Sequence, residues 1–298
     1  TGRTATAIAA GRAHTCAILD DASVKCWGYN GSGQLGLGDL NKRGDGANEM
    51  GDNLPAVDLG TGRTATAIAA GREHTCAILD DASVKCWGAN MGGQLGQGNT
   101  LTRGKSDNEM GDNLAAVDLG TGRTATAITA GHQHTCALLD NFSVKCWGNN
   151  GSGQLGLGDT NKRGDGTNEM GDNLPAVELG TGRTAKAIVA GGDVGHTCAL
   201  LDNFSVKCWG DNTNGQLGLG DNNKHGDGAG EMGDNLPAIE LGTGRTATSI
   251  IAGYYHACVV MFDDFSIKCW GLNDSGQLGI GDTSNRGDGV NNIGLSQM

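Results

Sequence analysis

Aromatic side chains are scarce in this sequence, only 4% of 298 residues, so ring stacking cannot carry its core and alanine, valine, isoleucine and leucine must fill it. Basic residues are short as well. The 21 lysines and arginines stand against 33 acids, a formal net charge of -12, and a nucleic-acid binder needs the opposite balance to displace phosphate counterions. No run is long and apolar enough to cross a membrane as a helix, and none is laid out as a signal peptide. Thr1 in place of an initiator methionine is the expected mark of a mature or trimmed chain.

What is abundant is repetition. The stretch HTCAILDDASVKCWGYNGSGQLG, residues 14–36, returns four more times, with its tryptophan at Trp27, Trp87, Trp147, Trp209 and Trp270. A period of 60 to 62 residues marks a propeller, solenoid or array. The 54 glycines hold fixed places in the unit, as in Gly28, Gly31, Gly33, Gly36 and Gly38, and imply many tight turns.

HTCAIL and SVKCW read as two strands joined by a polar break at Asp20, Asp21 and Ala22. Pairing Leu19 with Ser23 places Ile18 opposite Val24, Ala17 opposite Lys25 and Cys16 opposite Cys26. Directly opposed residues lie close enough for a disulfide. The same arithmetic pairs Cys76 with Cys86, Cys136 with Cys146 and Cys198 with Cys208; in the last unit one extra residue in MFDDF separates Cys258 and Cys269, so that hairpin must bulge or take a longer loop. Reduced core cysteines are a second reading and zinc a third, although His14 raises the ligands per unit only to three where a structural zinc normally needs four. Disulfides imply an extracellular or cell-surface chain.

Each unit opens with a strand of small residues, TGRTATAIAAG, in which Ala5, Ala7 and Ala9 alternate with Thr4, Thr6 and Ile8. After the hairpin come a glycine-rich turn, a long polar loop and the short strand LPAVDLG, where Pro55 suits an edge or a strand start. Four strands make a propeller blade. The expected fold is all-β, one repeat domain over 1–298, with blades at about 1–60, 61–120, 121–180, 181–242 and 243–298. Insertions around Asp193 and Val194 and near Met261 fall in expected turns. The tail VNNIGLSQM stops where the strand LPAVDLG is next due, so it is expected to supply the fourth strand beside the first unit and close a ring.

At AGxxHTCAI and SVKCWGxNxxGQLGxG the chain resembles the regulator of chromosome condensation repeat family, across all five units. The resemblance implies a β-propeller of four-stranded blades, most familiarly seven. It also brings nucleotide exchange on a small GTPase into view, but the family members with that activity use a projecting β-wedge and a basic tail that this acidic sequence does not show. Secreted relatives that bind β-lactamases set a precedent for extracellular recognition.

No catalytic constellation stands out, and the chain is not expected to be an enzyme. His14, His74, His134, His196 and His256 occupy one repeated position and read as structural groups hydrogen-bonded within each blade; Ser23 recurs without a nucleophile's surroundings. The polar loops carry the oxygen ligands and glycine turns that calcium favours, at Asp39, Asn41, Asp45, Glu49 and Asp52, at Asp159, Asn161, Asp165, Glu169 and Asp172, and at Asp221, Asn223, Asp227, Glu231 and Asp234. A solvated acidic loop explains them equally. N-x-S/T sequons at Asn30, Asn141, Asn150, Asn203 and Asn273 are glycosylation candidates. Arg-Gly-Asp at residues 43–45, 163–165 and 286–288 belongs to a repeated turn rather than to an adhesion motif.

Loop sameness between units suits a repeating ligand or copies of the chain itself. The expected function is a structural or assembly component outside the cell, in a filament, surface layer or matrix. The alternative is a secreted module that recognises a protein or glycan through positions where the units differ, such as Tyr29, Tyr254 and Tyr255.

Overall fold

The computed structural model describes residues 2–192, 195–289 and, as backbone, 294–296; Asp193 and Val194, placed in a turn from the sequence, lie outside them. Every unit repeats three antiparallel strands. They are β1 (Ala5–Ala10), β2 (His14–Leu19) and β3 (Val24–Gly28), then β4 (Ala65–Ala70), β5 (His74–Leu79) and β6 (Val84–Gly88), then β7 (Ala125–Ala130), β8 (His134–Leu139) and β9 (Val144–Gly148). They continue as β10 (Ala185–Ala190), β11 (His196–Leu201) and β12 (Val206–Gly210), and as β13 (Ala247–Ala252), β14 (His256–Met261) and β15 (Ile267–Gly271), followed by β16 (Gly294–Ser296). The result is five sheets in sequence order, the blades of an all-β repeat.

The hairpin register follows from the alternation. Ile18 faces Val24, Ala17 faces Lys25 and Cys16 faces Cys26. The fifth hairpin keeps the same ladder, Cys258 opposite Cys269 and Val260 opposite Ile267, and takes its extra residue into a longer tip closed by the Met261 N–H on the Ser266 carbonyl. Between the first two strands the register slips once per blade, at Ala5/Ala7 in the first, and the skipped Thr6 donates its hydroxyl to the Ile18 carbonyl at 3.2 Å. A threonine can satisfy itself in this way, which makes the bulge tolerable.

Four ladder strands per blade are expected, but the first four sheets have three. The segment read as the fourth strand lies along the outer hairpin strand through one backbone bond, Val57 N–H to the Val24 carbonyl at 2.8 Å, and its counterparts do the same at Val117 and Ile239. Among the described residues only the last sheet has a fourth strand, and it is the tail that supplies it, pairing with its own blade, Ser296 with Ile267 and Gly294 with Cys269.

The chain divides into two compact units, one of Thr1–Asn141, Trp147–Asn149 and Lys162–Leu174, the other of Phe142–Cys146, Asn150–Asn161 and Pro175–Met298. In the first, the core lies between consecutive blades, where Cys16, Ile18, Val24, Cys26 and Leu35 meet Ala65, Leu79, Trp87 and Met110. In the second, Cys198, Leu200, Val206, Cys208 and Leu217 meet Ala247, Val259, Met261 and Trp270 in the same way. Each blade thus has an outgoing face, bearing its disulfide, and an incoming face, bearing its tryptophan. Burial of one such indole or leucine stabilises the joint by roughly 1.5–3 kcal/mol.

Candidate functional site

The repeated histidines and glycines converge on the joints, whereas the repeated serine stays at its own hairpin tip, Ser23 donating to Asp21 at 2.6 Å. His14 Nε2 meets Thr75 Oγ1 of the next blade at 2.9 Å, and Thr75 in turn donates to the Gln34 carbonyl at 2.9 Å. Because the single threonine proton is used on that carbonyl, His14 must donate from Nε2, which leaves Nδ1 without a partner. The same carbonyl also accepts the Trp87 indole N–H at 3.1 Å. His74 repeats the contact with Thr135 at 3.0 Å. These histidines therefore tie one blade to the next, not strands within a blade.

Burial holds the imidazoles neutral, pushing His14 down to about 4 and His74 to about 3 from 6.5. Such groups are not bases at neutral pH. A glycine precedes each because the ring lies against it: a Cβ on Gly11 would sit 2.4 Å from the His14 ring and 2.4 Å from the Gly71 carbonyl oxygen. Gly36 of the GQLG turn is required in the same sense, since a Cβ there would meet the Trp87 indole nitrogen at 2.8 Å.

The acidic loops bring their carboxylates together at most in pairs among the described residues. Asp39 accepts from Asn30 and from the Asn41 N–H and pairs with Arg43 at 2.6 Å. Glu49 accepts the N–H groups of Gly44 and Gly46, both at 2.8 Å, which holds its carboxyl below the usual range. Asp159 with Asn161, and Asp221 with Asn223, repeat the first turn, each carboxylate accepting the asparagine N–H. Glu169 and Glu231 repeat the second. Asp165 and Asp227 lie against those glutamates, and burial followed by the neighbouring carboxylate raises both. Asp172 and Asp234 instead accept from Thr121 and Thr181, as Asp112 does from Thr61. Among the described residues no group of three or more His, Cys, Asp or Glu is arranged to hold a metal. Calcium at Asp39, Asn41, Asp45, Glu49 and Asp52 and at their counterparts would have to displace these bonds.

Cysteine pairing follows the register: Cys16–Cys26, Cys76–Cys86, Cys198–Cys208 and Cys258–Cys269, each with Cα atoms 4.1 Å apart. Cys136 and Cys146 are disulfide-bonded too. The sequons divide. Asn30, Asn150 and Asn273 are fully buried with their amides spent on loop carbonyls, as in Asn30 Nδ2 to the Asp39 carbonyl at 2.8 Å, so a glycan on any of the three is incompatible with the fold. Asn141 and Asn203 stand exposed on hairpin tips.

Two features escape sequence reasoning. Lys85, buried although charged, donates to the carbonyls of Leu59 and Gly111 at 3.0 and 2.8 Å and so anchors the 3-10 turn Gly111–Asn113. Its invariable place in SVKCW was the available signal. The hairpin tips are the other. Ala22, Ala82, Phe142, Phe204 and Phe265 all have φ near +60°, the left-handed conformation of a tight hairpin tip, closed in the first blade by the Ala22 N–H on the Leu19 carbonyl at 2.9 Å. Bulky residues rarely adopt it. Phe142, Phe262 and Phe265 are more than half exposed, and Phe204 packs on Phe262 at 5.9 Å with Lys186 over its ring. Of the unlike positions, Tyr29 and Tyr254 are exposed, and Tyr254 meets Tyr255 edge-on at 5.4 Å.

Disulfide-stapled blades joined face to face through His, Thr, Gln and Trp define a propeller-type repeat protein. Sequence profiles of the regulator of chromosome condensation (RCC1) repeat match residues 5–34, 65–94, 125–154 and 186–216, and a second such profile matches 21–78 and 206–260, together more than half of the chain. The chain belongs to this family. It is 27% identical over 282 residues to the Ultraviolet-B receptor UVR8 of Arabidopsis thaliana, covering 94% of this chain and 56% of that one. To the probable E3 ubiquitin-protein ligase HERC4 of Homo sapiens it is 30% identical over 219 residues, 74% of this chain and 18% of the relative. The chain thus spans about half, or less, of the length of these relatives. Yeast RCC1 (Prp20) bound to Kap60 matches with a TM-score of 0.69 at 18% identity, covering 98% of this chain and 62% of that one. The ectodomain of the Physcomitrella patens receptor kinase CR4 matches with 0.53 at 22% identity, over 91% and 53%. At these identities the likeness is one of fold.

Proposed function

We propose that the chain is a non-catalytic extracellular scaffold that works by binding protein surfaces. The observation that carries this reading is the unequal use of one strained position. Geometry demands a positive φ at every hairpin tip, and alanine meets that demand at Ala22 and Ala82, yet Phe142, Phe204 and Phe265 place large apolar rings there. At Phe142 and Phe265, 58% and 75% exposed, the ring adds nothing to the fold that alanine does not supply, whereas aromatic anchors favour protein interfaces. Buried disulfides suit an oxidising compartment, and among the described residues no helix is long and apolar enough to cross a membrane. The RCC1 relative bound to Kap60 and the CR4 ectodomain give precedents for partner binding and for an extracellular setting. The chain carrying Phe142→Ala, Phe204→Ala and Phe265→Ala tests the reading, because the first two blades already fold with alanine there. Extracellular proteins cross-linked to the immobilised native chain should be lost from the variant; equal capture by both sinks the proposal.

A second reading, an assembly component in a filament, layer or matrix, is favoured by a different observation, the near identity of the polar loops in the first and third units, residues 39–53 and 159–173. Calcium in the acidic loops belongs to this reading, and titration calorimetry with millimolar calcium tests it: no heat would remove it.

A further inference from the structure

A groove of about 390 Å³ lies within the second unit, where the GQLG turn and the LPAVELG segment of the third repeat meet the polar loop of the fourth. Leu157, Pro175, Ala176, Ala229 and Met232 line it, and Glu178 is the one charged side chain among its lining residues. Its volume is within the range of ligand sites.

In the first unit the same place is filled, by two different devices. Between the first and second repeats Asp107 stands over the GQLG turn, its Oδ1 3.5 Å from the position of a Cβ on Gly38. Between the second and third, Gln97 replaces the leucine and its Nε2 crosses to the Ala115 carbonyl at 3.0 Å. The loop tip that carries Asp107 and Asn108, and then Thr167 and Asn168, has Ala229 and Gly230 in the fourth repeat, which leave the space open. Gly230 keeps the left-handed backbone of those asparagines, φ +80° against +64° and +61°, and a Cβ on it meets nothing within 4 Å. The methionine is uncovered in step: Met110 and Met170 are 7% and 9% exposed, whereas Met232 is only half-buried.

Glu178 is unlike its counterparts as well. Asp58, Asp118 and Glu240 each accept the N–H of the glycine two residues on, all at 2.9 Å. Among the described residues the Glu178 carboxylate has neither a hydrogen bond nor an ion pair; only its backbone carbonyl is used, by the Gly233 N–H at 2.9 Å. An exposed anion without its turn bond thus stands at the wall of an apolar groove, in a chain of net charge -12. We propose that this groove receives a lysine or arginine side chain, flanked by apolar residues, from an extended segment of a partner protein. The proposal rests on the protein-binding reading above and gives the partner its chemistry. Charge complementarity argues for the occupant. The stem of a long cationic side chain covers apolar surface while its head pairs with a carboxylate, and the acidic balance of the whole chain draws a basic partner towards it.

The probes are two capped pentapeptides, one with lysine between two leucines and the other with glutamate in that place, titrated into the full chain and followed by nitrogen–proton NMR. The lysine peptide should move the amides of Leu157, Gly158 and Gly230 together and saturably, and the glutamate peptide should not. Glu178→Gln should weaken binding about tenfold. Ala229→Thr with Gly230→Asn refills the groove with the residues that the same loop carries at Thr167 and Asn168, so it keeps the fold and should abolish the shifts. Unmoved groove amides, equal binding of both peptides, or unchanged affinity in Glu178→Gln overturns the proposal. So does movement of the same amides when the native chain is concentrated alone, which would give the groove to a second copy. The protein-binding reading fails separately: if the chain carrying Phe142→Ala, Phe204→Ala and Phe265→Ala captures extracellular proteins as the native chain does while the lysine peptide still fills the groove, the phenylalanine anchors fall and this site stands. Capture lost from that variant, with a groove that no peptide enters, keeps the anchors and removes this site.

Discussion

The joint between the first and second blades and the joint between the fourth and fifth differ by one residue at their centre. In the former, Thr75 receives His14 and binds the Gln34 carbonyl, which also takes the Trp87 indole. In the latter, Ala257 stands where the threonine would, and both nitrogens of His196 are buried without a partner. Yet the Trp270 indole still reaches the Gln216 carbonyl at 2.9 Å, and the apolar cluster closes around it unchanged in kind. The joint is therefore made by apolar packing around an anchored indole, and the histidine–threonine contact trims a polar group that the packing buries. Leaving such a group unsatisfied costs about 1–3 kcal/mol.

The largest effect should come from removing the indole that both joints share. Trp87→Ala and Trp270→Ala are each expected to destabilise by about 3–5 kcal/mol, read from denaturant midpoints. Nearly equal losses would support the packing account; a much smaller loss at Trp270 would show that the two joints are built differently. Disulfides come next. Cys76→Ala with Cys86→Ala should cost about 3 kcal/mol or somewhat less, because the bridge closes a short loop. Under a mild reductant the Cys258–Cys269 bridge should open first, since those residues are 8% and 4% exposed while Cys16, Cys26, Cys76 and Cys86 are at 0%. Mass mapping after timed alkylation reads the order.

Acid offers a subtler probe. His14 and His74 are neutral in the fold, with pKa values of about 4 and 3, and bind a proton below 6.5 once unfolded. Their joints should be fully stable above pH 6.5 and lose up to about 1.4 kcal/mol per pH unit per histidine as pH falls towards 4. His74→Gln should flatten that slope. The smallest effect expected is a gain. Ala257→Thr supplies the missing partner to His196 and should stabilise the last joint by about 1 kcal/mol, whereas Thr75→Ala should weaken the first; unchanged stability in both would mean that water already satisfies these imidazoles.

Local pairing was legible in the residues. Alternation in HTCAIL and SVKCW set the hairpin register, and the register paired the cysteines, because strands joined by a short tip have one alignment that keeps both apolar faces together. Harder to read were groups whose partners lie a whole repeat away. Asn30 reads as a glycosylation sequon and is a buried loop brace; Lys85, to which the sequence reading gave no role, clamps a turn from inside. The acidic loops looked like ligand sets because composition alone cannot tell converging carboxylates from those each occupied by separate N–H groups and an arginine.

The sequence by itself determined the five blades, their hairpins, their bridges and their family, since all of these rest on periodicity and on contacts within a few residues. Tertiary structure alone decided how deeply each repeated residue is buried. Whether Trp27 or Trp87 is buried cannot be read from two nearly identical segments; it depends on whether another blade lies against the face, and burial is a property of neighbours rather than of residue type.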